Sequence, residues 1–208
     1  MKRNRALSPR GPLAGLVTLL LAGCSTERLT EPPQTATEQL LVSTAVDHAV
    51  GALKPPITPG SKIFVDGQFF DTDNVVLPKY TIGAIRDLVL RSGGDLVDDR
   101  KTADQIVELR DGAQSIDHHG FLIGLPAIPI PIPAVGSMTT PEVAFFKRDR
   151  QKGVSKIALT VYDAKSGALA GSTGAIYGTS HDTSWTVLLL ISWDTDDIAP
   201  PESPANSP

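Results

Sequence analysis

Apolar positions first recur at helical spacing at Leu41, Val42, Ala45, Val46, Ala49, Val50 and Leu53. Just ahead, Thr35-Ala-Thr-Glu38 has the spacing of a capping box, in which a hydroxyl and a carboxylate each satisfy a free backbone N–H. Together they predict a helix over about 36–53, stopped by Lys54-Pro55-Pro56. Ile82, Ile85, Leu88 and Val89 form a second stripe and predict a helix from Tyr80 to Arg91, with Gly93-Gly94 as a left-handed stop. Elsewhere the pattern is that of strands. Lys62–Asp66 and Leu96-Val97 are short, and Ile106–Ile116 is longer, with Gly112 as a bulge. Thr102-Ala-Asp104 reads as a turn. Glu142–Asp149, Val154–Asp163, Ala168–Tyr177 and Thr183–Trp193 follow, and Asp163-Ala-Lys-Ser-Gly167 is a hairpin turn. Trp185-Thr-Val-Leu-Leu-Leu-Ile-Ser-Trp193 has five consecutive apolar residues, which predicts a strand buried on both faces. Its length and flanking tryptophans also suit a membrane strand. Helices early and strands late predict an α+β fold, a mostly antiparallel sheet with two main helices packed on one face.

The amino terminus has a different pattern. Lys2, Arg3, Arg5 and Arg10 precede the apolar run Pro12–Gly23, with no acid among them. The run is too short for a spanning helix, which needs ~20 apolar residues, and fits the apolar core of a secretion signal. It ends in Leu21-Ala22-Gly23-Cys24, which resembles the lipobox of bacterial lipoproteins, whose Cys is lipidated and becomes the new first residue. That resemblance implies a signal peptide over 1–23 and a lipid on Cys24; composition and pattern then divide the rest into a tether over 24–34, a single α+β domain over 35–193 and an acidic, Pro-rich disordered tail over 194–208. Acyl chains on Cys24 would anchor the protein, since two chains hold stably where one is marginal. Ser25 stands where an inner-membrane lipoprotein would carry Asp, so the expected site is the outer membrane, facing the periplasm.

Charge and composition narrow the choice. Removing four basic and no acidic residues takes the net charge from −4 to −8. An acidic chain lacks the basic face that nucleic acid demands. The one cysteine, Cys24, excludes an intrachain disulfide and any multi-cysteine metal site.

Three motifs carry a further resemblance: Val97-Asp-Asp-Arg100, Ala103-Asp-Gln-Ile-Val-Glu-Leu109 and Val161-Tyr-Asp-Ala-Lys-Ser-Gly-Ala-Leu169. With Pro32–Leu41, Leu122-Ile-Gly-Leu-Pro126 and Trp185-Thr-Val-Leu188, they resemble an uncharacterised family of bacterial lipoproteins over most of the mature chain. More distantly, the layout is similar to the periplasmic domain of curli-secretion-channel lipoproteins. Neither resemblance supplies catalytic residues.

Candidate chemistry is sparse. In Phe121–Ala134, Ile128, Ile130 and Ile132 alternate with Pro129, Pro131 and Pro133. Alternate residues of a strand point their N–H groups to opposite edges, so this run suits an edge strand that resists further pairing. Cover for the protein's own core, an apolar arm on a partner and a membrane contact are the other readings. Asp117-His118-His119 invites a metal or hydrolytic reading, but adjacent strand residues point to opposite faces. Asp71-Thr-Asp73-Asn74 and Asp194-Thr-Asp196-Asp197 lack the later ligand and Gly of a calcium loop and read as acidic turns. Lys147–Lys152 is a basic run that reads as an alternating-charge strand face, with contact to anionic headgroups as the alternative. No nucleophile elbow, P-loop, dinucleotide loop or zinc-protease motif occurs.

The expectation is therefore a non-enzymatic envelope lipoprotein acting as an interaction or assembly module. It would need no catalytic residues, metal or cofactor beyond the Cys24 lipid. Its partners would be the membrane and an envelope protein, not nucleic acid. A subunit of an oligomeric secretion pore and a hydrolase with a dispersed site are the alternatives.

Overall fold

The computed structural model describes residues 34–70, 77–132 and 136–198. Two helices and eight strands are found among them: α1 (Ala36–Ala52), β1 (Lys62–Asp66), α2 (Pro78–Arg91), β2 (Asp95–Leu96), β3 (Gln105–Leu125), β4 (Pro129–Ile132), β5 (Gly136–Thr139), β6 (Val143–Asp163), β7 (Leu169–Val187) and β8 (Ile191–Asp196). Six strands form one sheet in the order β2-β1-β3-β6-β7-β8, and β4 pairs with β5 alone. The first three strands are mutually parallel, as a β-α-β crossover requires, and the rest form an antiparallel meander. The fold is thus mixed α and β with a mostly antiparallel sheet.

Local chemistry sets the helices. The Thr35 hydroxyl accepts from Glu38 N at 3.2 Å, and the Glu38 carboxylate accepts from Thr35 N at 2.8 Å, so the capping box closes. Helix α2 begins at Pro78, two residues before the expected start, because proline suits the first turn. Gly93 (φ +86°) ends it in the left-handed conformation.

Helix α1 buries Leu41, Val42, Ala45, Val46, Ala49 and Val50. The core continues through Ile63 of β1, Ile85 and Val89 of α2, Val107 and Leu109 of β3, and Ile157, Leu159 and Val161 of β6. Each fully buried aliphatic side chain of this size contributes roughly 1.5–3 kcal/mol. Two glycines let α1 approach the strands at backbone distance. A Cβ on Gly178 would lie 1.9 Å from Ala45 O, and one on Gly153 would lie 2.5 Å from Leu41 O. The Ser180 hydroxyl donates to that same Leu41 carbonyl at 2.6 Å, and His48 Nδ1 sits 2.7 Å from Thr179 O.

The residues of the family-like motifs do structural work. Asp99 caps a short 3-10 turn (Arg100–Thr102), so the turn expected at 102–104 starts earlier. Arg100 pairs with the buried Asp66 carboxylate and donates to Tyr162 Oη at 3.0 Å. Asp104 accepts from Lys62 N at 3.0 Å. Asp163 accepts from the Ser166 and Lys165 backbone N–H groups, which hold its carboxyl below the usual range and close the expected hairpin turn.

The strands differ most from expectation. The two strands expected at 142–149 and 154–163 are one, β6, continuous through the basic run. Strand β3 runs nine residues past Ile116, with its register shift at Gly112 as expected. The buried strand expected over 183–193 is instead a hairpin. Strand β7 ends at Val187, Leu188 (φ +51°) and Leu189 (φ +66°) turn the chain, and β8 returns. Strand β8 also takes in Asp194–Asp196, three residues read above as tail and as an acidic turn. The signal, Leu21–Cys24, Asp71–Asn74 and Pro133 lie outside the described residues.

Gly178→Ala should lower unfolding free energy by about 3 kcal/mol in urea titrations, because the helix must leave the sheet. Gly51→Ala meets nothing within 4 Å and should instead raise it by about 0.5–1 kcal/mol.

Candidate functional site: an exposed amphipathic sheet end

A strand advances ~3.3 Å per residue and a helix 1.5 Å, so the 21 residues of β3 span about 69 Å and the 17 of α1 about 26 Å. Beyond Ile116 and Gly153 the core ends, while β3, β6, β7 and β8 continue as a four-stranded sheet. Pairing register sorts its side chains into rows across all four strands.

On the face turned away from α1, the outermost row is Ile123, Phe146, Val187 and Ile191. The next is Phe121, Arg148, Trp185 and Trp193. Then come His119, Arg150, Thr183 and Thr195, and finally Asp117, Lys152 and His181. The aromatics form a continuous ladder. Phe121 meets Phe146 edge-on at 6.0 Å, Phe146 meets Trp185 edge-on at 6.0 Å, and Trp185 stacks on Trp193 at 6.1 Å. Such pairs contribute about 0.5–1.5 kcal/mol each beyond their burial. The Arg148 guanidinium sits 5.7 Å from the Trp185 ring centre.

The opposite face is polar. Its rows are Leu122, Lys147, Thr186 and Ser192; Gly120, Asp149, Ser184 and Asp194; and His118, Gln151, Asp182 and Asp196. Lys147 bonds Glu142 at 2.9 Å and Asp149 at 3.2 Å, which raises its pKa. Burial, then Asp196 and Asp194, push the Asp182 carboxyl up. Thr37 and Leu40 of the first turns of α1 line a shallow hollow with Asp182, Ser184, Asp194 and Asp196, so α1 begins beside these rows.

Strands β4 and β5 leave this end as a separate hairpin. Ile128 O accepts from Thr140 N at 3.0 Å, and Ile128 N donates to Thr140 Oγ1 at 2.9 Å. Register sets Ile130 opposite Met138, so Pro129 and Pro131 fall at the alternate positions expected of a blocked edge. This hairpin does not cover the core: Ile128, Ile130 and Met138 are all exposed.

Asp117, His118 and His119 lie on β3, with the two imidazoles on opposite faces; His119 pairs with Arg150 and His118 with Gln151. His181 bonds Asp197 at 3.1 Å. Among the described residues no three His, Cys, Asp or Glu side chains are placed to hold a metal ion. An open groove of about 760 Å³ lies between α1 and α2. Tyr80 at its rim donates to Asp47 at 2.8 Å, and burial with that carboxylate pushes its phenol up to about 12. The sequence does not show the ladder; its signals are the tryptophans at 185 and 193 and the alternation in Ile191-Ser-Trp-Asp-Thr-Asp196.

Fold and site together define a mixed α/β protein whose sheet outruns its core and ends in an exposed amphipathic surface. A model described as a family of unknown function (DUF6655) matches residues 18–188, and the chain belongs to that family. No curated protein matches it. No helix among the described residues is long and apolar enough to cross a membrane.

A carboxyl raised by folding contributes stability below its unfolded pKa and loses it as pH climbs through the raised value. Asp182→Asn should therefore raise the thermal midpoint at neutral pH, and the gain should vanish by about pH 4. Thermal scans of both proteins at the two pH values check this.

Proposed function

We propose that this is a lipoprotein of the bacterial cell envelope, anchored through Cys24 in the outer membrane and facing the periplasm. Its α+β domain, with both helices on one face of the sheet, serves as a non-enzymatic interaction or assembly module. The observation that carries this reading is where the large exposed apolar side chains gather. Phe121, Ile123, Leu125, Phe145, Leu188–Ile191 and Trp193 all lie at the sheet end, with Ile128, Ile130 and Met138 on the hairpin beside it. A folded monomer rarely leaves so large an apolar patch bare without a use for it. The family match begins at residue 18, inside the apolar run, and its range includes Cys24.

A second reading, a subunit of an oligomeric envelope pore, is favoured by one observation. The outer edge of β3 past Glu108 and the outer edge of β8 have no partner strand among the described residues, so copies could join edge to edge. A ring-sized mass in mild detergent would support it, and a monomer would remove it.

Two measurements test the leading reading. Cys24→Ser should abolish labelling by radioactive palmitate and release the protein from washed membranes. Replacing residues 126–142 by a short turn should strip co-purifying envelope proteins while circular dichroism stays native. Retention of every partner by the folded variant would overturn the assembly role.

A further inference from the structure

The aromatic face of the sheet end has an order along the strands that a protein partner does not require and a lipid surface does. Outermost is a turn of Leu188, Leu189 and Leu190, the last 88% exposed. Behind it lies the apolar row Ile123, Phe146, Val187 and Ile191, then the tryptophan row, then rows carrying Arg150 and Lys152. Apolar, aromatic and cationic layers in that sequence match acyl chains, interface and headgroups. Charge is divided by face as well. In these rows Arg148, Arg150 and Lys152 stand with the tryptophans against one carboxylate, Asp117, while Asp149, Asp182, Asp194 and Asp196 stand on the other side against one cation, Lys147. An anionic headgroup layer therefore meets cations on one face and is repelled by the other.

The leucine turn is held in place. Leu188 N donates to Phe145 O at 2.9 Å and Leu189 N to Ala144 O at 3.1 Å, tying it to the β6 bulge. Its geometry also limits depth. From Trp185 to Val187 is two residues, about 7 Å along the strand before the leucine turn folds the chain back, which is well within one leaflet of a 30 Å hydrocarbon core. A spanning strand needs ~9–11 residues. The anchor points the same way. Helix α1 starts beside Asp182 and Ser184, level with the tryptophan row but on the opposite face, and the 12 residues from Cys24 to Ala36 reach at most about 40 Å.

We propose that this face is a second membrane contact. The leucine turn and apolar row enter one leaflet of the bilayer that holds the Cys24 lipid, Trp185 and Trp193 stand at the interface, and Arg148, Arg150 and Lys152 meet anionic headgroups. The inference rests on the anchored-lipoprotein reading and adds a docked orientation to it.

Trp185 and Trp193 are the only tryptophans in the chain, so intrinsic emission reports this surface without a label. The test uses full-length lipidated protein reconstituted in vesicles of phosphatidylcholine with phosphatidylglycerol, the acyl chains brominated either near the headgroup or near the methyl end. Quenching should be at least about twofold stronger from the headgroup-proximal bromines, as expected for indoles at the interface. Arg148→Glu with Arg150→Glu should lower the docked population roughly fivefold or more per charge, and so should removal of phosphatidylglycerol. Leu188→Asn with Leu189→Asn and Leu190→Ser should abolish quenching while circular dichroism and vesicle flotation stay unchanged.

Lipidated protein that floats with the vesicles yet shows unquenched tryptophans overturns the contact and leaves the anchor standing. Protein with no lipid on Cys24 overturns the anchor reading instead. Equal quenching at both depths with release of trapped dye replaces the contact by a pore. Unquenched tryptophans with a doubled mass replace it by a second copy of the chain.

Discussion

The rest of the structure depends on a mismatch of lengths. A helix gains less than half as much distance per residue as a strand, so α1 shields only part of the sheet on which it lies. Where the helix begins, the core ends, and β3 past Ile116, β6 ahead of Gly153 and β7 past Ser180 continue as a sheet with little cover on either side. The chain answers by assigning polarity to one face and apolar bulk to the other. The close seat of α1 on Gly153 and Gly178 then fixes where the covered region stops.

That division explains why the polar motif residues around 97–109 and 161–169 explain so little of function. Arg100, Asp66 and Tyr162 tie β1 to β6 across the first strands. Asp104 and Asp163 close turns near the same edge. A buried Asp with one guanidinium partner is costly to disturb, because the lone charge would be left in a poor solvent. Recurrent polar motifs here secure the scaffold, at the opposite end of the strands from the exposed surface.

How much was legible follows the same line. Inside the core the sequence is readable: the Thr35 capping box, both apolar stripes, the Gly112 bulge and the turn at 163–167 all describe real elements, because each is set by local chemistry. Outside the core the usual signal fails. Lys147–Lys152 breaks the apolar pattern of β6 yet interrupts nothing, since a strand with no covering helix tolerates charge on both faces. Val187–Ile191 reads as a buried strand because an unbroken apolar run looks the same in a core and at an exposed tip; only backbone geometry tells them apart. No rule of turn chemistry favours two leucines where Asn and Gly are usual. The candidate site was legible only in pieces, the Ile-Pro alternation and the paired tryptophans, because the rows exist only once four strands are in register.

The left-handed leucines have a consequence for anyone who evolves or engineers this chain. A non-glycine residue in that conformation costs roughly 1–2 kcal/mol, so the tip is a poor turn held by a good sheet. Selection for thermal stability alone would drift toward Asn and Gly at 188 and 189. A variant obtained that way would fold better and present a hydrophilic tip. Resistance to heat and the character of the outward surface are therefore set against each other at two residues.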